Sequence, residues 1–151
     1  MYQRILLAVD GSRSAELALS QAIIVAKATG SEVQALYVAD DNDVFFLAGS
    51  YDPRQLTDAI LAAGREALEA AAKRLAEAGI PHTTKLLEKP VSPGQISSTI
   101  VEEAERWDAD LIVLGTHGRR GIRRLIMGSV SEGVLHRSNK PVLMVRSEIK
   151  E

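Results

Sequence analysis

The residues best suited to chemistry lie in one stretch, Gly115 to Ser129, which reads GTHGRRGIRRLIMGS. Three of its glycines, Gly115, Gly118 and Gly128, and the hydroxyl of Ser129 that closes it are placed as a backbone cradle for an anion requires. Glycine admits close approach and positive φ, and free N–H groups at a helix start face negative charge. Arg119, Arg120, Arg123 and Arg124 add positive charge with no acid among them. A phosphate chain suits such a loop. Glycine spacing alone leaves a second reading open, a long surface turn in which Ser129 only caps its helix. At least two of Arg120, Arg123 and Arg124 read as solvated charge that keeps the loop soluble.

The other candidate is Asp10, in VDGS at the end of the apolar run Ile5–Val9. It is a ligand residue, a turn-former or a helix cap. Machinery for fast bond-breaking is harder to find. There is no GKS of a P-loop and no G-x-S-x-G elbow, and beyond Asp10 no convincing acid stands at a strand end. Asp40, Asp41 and Asp43 do not continue into an EF-hand loop.

Positioning these residues needs a folded scaffold, and 151 residues suffice for one domain spanning 1–151. Hydrophobic residues make up 46% and charged residues 25%, which argues against disorder. A formal net charge of −2 gives no global drive toward nucleic acid or an anionic membrane. The absence of cysteine excludes disulfides, thiolate catalysis and cysteine zinc sites. No apolar run approaches the roughly 20 residues that span a bilayer, and the first apolar run is too short for a signal peptide, so a cytoplasmic protein is expected.

Along the chain, Ile5–Val9 reads as a strand buried on both faces. Ser12 or Ser14 caps the following helix, which Gly30 stops. Val33–Ala39 is the second strand, and Asp40–Pro53 a loop or lid after it. From Arg54 to Ala78 the stripe Leu56, Ile60, Ala63, Ala67, Ala71 and Leu75 predicts a long amphipathic helix. His82–Glu88 is a more polar strand near an edge. A helix capped by Ser92 runs to about Trp107, Leu111–Leu114 is the fourth strand, a helix begins at Ser129 and ends near Asn139, and Pro141–Val145 is the fifth strand.

Strands alternating with helices predict an α/β fold, an open five-stranded parallel sheet with helices on both faces. Ligands of such sheets bind beyond the carboxyl ends of the strands, where strand order reverses. If Asp10 and the glycine loop share a ligand, strands one and four must be neighbours at that point. The order is then 3-2-1-4-5 rather than 2-1-3-4-5.

The pattern Gly115-x2-Gly118-x9-Gly128-Ser129 after a fourth strand, combined with VDGS after the first, resembles the universal stress protein family and its ATP-binding branch. The resemblance covers essentially the whole chain, from ILLAVDGS through SNKPVLMV, and implies a Rossmann-like, adenine nucleotide alpha hydrolase-like fold. It further implies roles. Asp10 and the backbone at Gly115 would hold the ribose, the backbone at Val38 would meet the adenine edge, and Ala8 would line the adenine pocket. Leu114, His117, Gly118 and Arg119 would wrap ribose and phosphates, while Gly128, Ser129, Val130 and Ser131 would take the phosphate chain. Each also has an ordinary reading: Val38 and Leu114 as core residues, Arg119 as a solvated charge, His117 as a loop histidine with no specific role.

The cofactor so implied is ATP, with Mg2+ (or Mn2+) arriving on its phosphates. The expected function is a nucleotide-dependent stress or signalling module with slow or no hydrolysis and an unidentified downstream protein partner. A genuine ATPase or nucleotide-transferring enzyme on the same scaffold is the alternative. A phospho-acceptor receiver domain fits poorly, because the first strand offers only Asp10 and the third ends in LLEKP. The apolar Pro141–Val145 edge strand is expected to pair two copies as a homodimer, unless the charged tail Glu148–Glu151 shields it.

Overall fold

The computed structural model describes residues 2–39, 53–88, 96–116 and 129–146. Within them the elements run β1 (Arg4–Ala8), α1 (Arg13–Thr29), β2 (Glu32–Val38), α2 (Pro53–Glu77), β3 (His82–Leu87), α3 (Ile96–Trp107), β4 (Leu111–Gly115), α4 (Ser129–Arg137) and β5 (Val142–Val145). The five strands form one parallel sheet in the order β3-β2-β1-β4-β5. Strand bounds differ from the sequence reading by about one residue. The Asp40–Pro53 loop lies outside the described residues, save that Pro53 opens α2, and so does Ser92.

The period-two alternation of the strands builds a core on each face. Ile5, Leu7, Val33, Ala35, Tyr37, Leu111 and Val113 pack with residues of α1 and α2. Leu6, Leu36, Val38, Ile112 and Leu114 pack with α3 and α4. Because β1, β2 and β4 are buried on both faces, their apolar runs are continuous. β3 is an edge, and its exposed Thr83 and Thr84 keep it polar.

The stripe of α2 differs from the sequence reading. Ala63 is exposed, and Gly64, Leu68, Ala71 and Leu75 are buried. The reason is Tyr37, which is 1% exposed and directs its ring at Gly64. A Cβ there would stand 2.6 Å from two ring carbons, so the helix descends on the sheet at its glycine rather than at the neighbouring alanine. Leu56 has no described side chain.

A buried polar group interrupts the second core. Glu103 of α3 is 3% exposed, accepts from Gln34 Nε2 of β2 at 2.9 Å and from Lys85 Nζ of β3 at 3.0 Å, and pairs with Arg106 at 3.2 Å. Two of its three partners, Gln34 and Lys85, come from strands and thus hold α3 in one register over the sheet. At the amino ends of the strands, Asp110 accepts from the backbone N–H groups of Gln3 and Arg4, each at 2.9 Å, which holds its carboxyl below the ordinary value. Arg4 lies over the Trp107 ring, 5.8 Å from its centroid, and donates to the Trp107 carbonyl at 2.9 Å. No helix among the described residues is long and apolar enough to cross a membrane.

Candidate functional site

β1 and β4 are paired from Ile5↔Leu111 to Leu7↔Val113 and then part. Beyond that point β1 stays with β2, through Ala8↔Leu36 and a bond of 2.9 Å from Val9 N–H to the Leu36 carbonyl. β4 stays with β5, through Leu114↔Met144, Gly115↔Val145 and a bond of 3.0 Å from Thr116 N–H to the Val145 carbonyl. A crevice therefore opens between residues 8–10 and residues 114–116. It lies where the order reverses, since the crossover from β1 leads to β2 and that from β4 to β5. Leu7 and Val113 below it are fully buried, while Ala8, Asp10 and Gly115 at its mouth are partly exposed.

On the β1 side, Gly11 takes φ 80° and turns the chain. Ser12 N–H then donates to Asp10 Oδ1 at 2.8 Å, and Ala15 N–H donates to Ser12 Oγ at 3.2 Å. Ser12 is thus the cap of α1, and Asp10 shapes the turn before it. One carboxylate oxygen of Asp10 is engaged by that turn. Its Oδ2 has no partner among the described residues, so the turn-forming and ligand readings of Asp10 coexist in one side chain.

On the β4 side, the side chains of Leu114 and Val38 are 2% and 6% exposed and belong to the core. Only their backbone atoms can meet a ligand. Gly115 abuts Ser14, which is 1% exposed in the first turn of α1. A Cβ at Gly115 would overlap Ser14 Oγ and stand 2.7 Å from its carbonyl carbon. The sequence offered Ser14 only as a possible cap. A small residue one turn into a helix carries no signal of what will press against it.

Ser129 opens α4, and Val130 packs partly buried against the second core. Ser131 is 2% exposed and its Oγ donates to the Thr116 carbonyl at 3.1 Å. Ser131 is therefore tied to the end of β4, a contact that sequence reading missed because both partners are short polar residues far apart in the chain. His117, Gly118, Arg119 and Gly128, with the other loop arginines, lie outside the described residues. Among the described residues no three His, Asp or Glu side chains converge as a metal site.

The model of the Universal stress protein family matches residues 1–146. The chain belongs to the universal stress protein family. A universal stress protein of Methanocaldococcus jannaschii is 36% identical over 151 residues, with 100% of this chain and 86% of the relative covered. A second universal stress protein of that organism has a solved structure that matches with a TM-score of 0.82 at 27% identity, over 99% of each chain. The family member of Archaeoglobus fulgidus solved in complex with dAMP matches with a TM-score of 0.67 at 26% identity, covering 95% of this chain and 98% of the other. The five-stranded order and the helices on both faces are those of the universal stress protein fold.

Proposed function

We propose that this universal stress protein binds ATP in the crevice between β1 and β4, and that occupancy changes its contacts with a downstream protein. The observation that carries the reading is the parting of β1 and β4 after Leu7 and Val113, with Asp10 on one lip and Gly115 on the other. The dAMP complex of the A. fulgidus relative supports an adenine nucleotide as the ligand class. That nucleotide lacks a 2′-hydroxyl.

The residues present suit this ligand. Small Ala8 leaves room for a base, the backbone at Val38 and Leu114 offers edge contacts, and the second oxygen of Asp10 accepts from a sugar hydroxyl. Gly128, Ser129, Val130 and Ser131, with His117, Gly118 and Arg119, are the proposed phosphate cradle. Backbone N–H groups at the start of α4 favour anions through the helix dipole. Mg2+ would be carried on the phosphates and would neutralise their charge. Hydrolysis is slow or absent, because no second acid stands at the crevice among the described residues to act as a positioned base. Asp10 is taken up by its turn and the sugar hydroxyl, and Glu88 follows β3, three strand spacings from β4, or about 14 Å.

Self-association belongs to the same proposal. β5 is an edge whose Val142, Leu143, Met144 and Val145 are each partly exposed, and pairing it with a second copy would cover both its backbone groups and its apolar side chains. The proposed setting is the cytoplasm.

The deciding experiment is mass analysis of nucleotide released from the purified, denatured protein, joined with calorimetric titration of Mg-ATP. Adenine nucleotide in the first or saturable heat in the second is expected. The absence of both signals overturns the reading. A monomer by sedimentation at high micromolar concentration removes the dimer.

A further inference from the structure

We infer that the ion pair of Lys85 and Glu103 closes the β3 edge of the sheet to an added strand, so that strand-to-strand association of this chain is left to the β5 edge. The β5 dimer proposed above enters only where copies are counted, and the closure of β3 rests on geometry and charge.

The order β3-β2-β1-β4-β5 leaves two edges, and by length β3 is the better template, with six residues against four in β5. Val33 N–H donates to the Pro81 carbonyl at 3.0 Å and Ala39 N–H to the Leu87 carbonyl at 2.9 Å, so the odd-numbered residues of β3 turn their backbone toward β2. Backbone direction alternates along a strand, and the N–H and C=O groups of His82, Thr84 and Leu86 therefore point to the open side. Thr83 and Thr84 are exposed, and threonine suits a strand. Backbone and propensity alone would make this edge adhesive.

Lys85 changes that. Its side chain lies on the α3 face of the sheet, where Nζ donates to both oxygens of Glu103 at 3.0 Å while staying 35% exposed. Arg106 adds a second donor to Oε1 at 3.2 Å, and Gln34 a second to Oε2 at 2.9 Å. Each oxygen thus accepts two donors, which fills the roughly four lone-pair sites of a carboxylate. One acid serves two cations that both keep part of their hydration, and a strand laid beside β3 would set its side chains about 5 Å from Lys85 and strip that water away. Glu103 has no site left to offer in exchange, and a charge that loses water without gaining a partner is costly. An inward-pointing charge is one means by which edge strands avoid pairing. The β5 edge carries none: Val142, Leu143, Met144 and Val145 are apolar and partly exposed, and a partner strand there covers hydrocarbon. Isologous pairing through one edge closes at two copies, whereas two open edges would let the sheet grow without end.

The test is sedimentation of the full chain at rising concentration into the high micromolar range, on the wild type and on the double variant Lys85→Met with Glu103→Leu, with circular dichroism to show that the variant is folded. The double variant replaces the ion pair with an apolar pair, and its weight-average mass is expected to reach at least double that of the wild type. Adding Thr84→Pro should return the wild-type mass, because the Thr84 N–H points to the open side and proline there blocks an added strand without removing a bond to β2. If the double variant does not fold, Lys85→Gln, which keeps a donor for Glu103 and loses the charge, is read in the same way. A folded variant with the wild-type mass throughout, or association that persists with Thr84→Pro, overturns the inference. A monomeric wild type removes the β5 dimer alone, and the double variant is then expected to dimerise through β3 and to return to a monomer with Thr84→Pro.

Discussion

Gly115 rests on Ser14 so closely that an added Cβ would stand 2.7 Å from the Ser14 carbonyl carbon. The atom it would meet is helix backbone, which cannot rotate away. Gly115 is a glycine for the sake of α1, whatever ligand its backbone meets. Gly115→Ala is therefore expected to push α1 from β4 and to destabilise the fold by about 1–3 kcal/mol, as overpacking does. Thermal unfolding of the unliganded variant checks this. A variant as stable as the wild type would show that the glycine serves only the ligand.

Asp10 separates its two roles by substitution. Asp10→Asn retains an oxygen for the Ser12 N–H but loses the charge, so the fold should keep its unfolding midpoint while Mg-ATP affinity falls by about 1.5–3 kcal/mol, the worth of a charged hydrogen bond. Asp10→Ala should lose stability as well. Calorimetry and thermal melts on the pair settle the division, and an Asn variant with wild-type affinity would reduce Asp10 to its turn.

The Glu103 network gives a third expectation. Lys85→Met leaves a carboxylate that is 3% exposed with Gln34 and Arg106 alone, and should cost about 1–2 kcal/mol, reduced because Lys85 is 35% exposed and screened. Lys85→Met with Glu103→Leu should recover most of it, since an apolar pair of similar volume can replace a buried ion pair. Urea unfolding of the single and double variants measures the recovery.

Asp110 sets an acid limb. Backbone N–H groups of Gln3, then Arg4, lower its pKa in the folded state. A depressed carboxylate contributes stability in full above its unfolded value of about 3.9, and that contribution is lost as pH falls through the lower folded value. The stability advantage of wild type over Asp110→Asn should therefore be constant near neutrality and shrink below about pH 4. Urea midpoints of both proteins across the acid range test the sign.

Much of this architecture was legible in the residues. Branched apolar runs marked the strands, and Ser12 or Ser14 and Gly30 marked the ends of α1, of which the structure takes Ser12 as the cap and Gly30, at φ 72°, as the left-handed stop. The polar character of His82–Glu88 pointed to a strand near an edge, where β3 lies. Strand order was accessible only by supposing that Asp10 and Gly115 share a ligand, because periodicity reports which face a side chain takes and not which strand lies beside it. The α2 stripe slipped to Gly64 and Leu68 for the same reason. Local pattern could not know that Tyr37 would rise beneath the helix.

The sequence by itself determined the alternation of strands and helices and, through Asp10 and the glycine loop, which strand ends to propose as the site. These follow from local properties: side-chain period, turn chemistry and the conformational freedom of glycine. Only the tertiary structure decided that β1 and β4 part after Leu7 and Val113, that Gly115 answers to Ser14, and that the Ser131 hydroxyl belongs to Thr116. Each is a contact between residues distant in the chain, made when helices settle on the sheet, and no single segment carries the information for it.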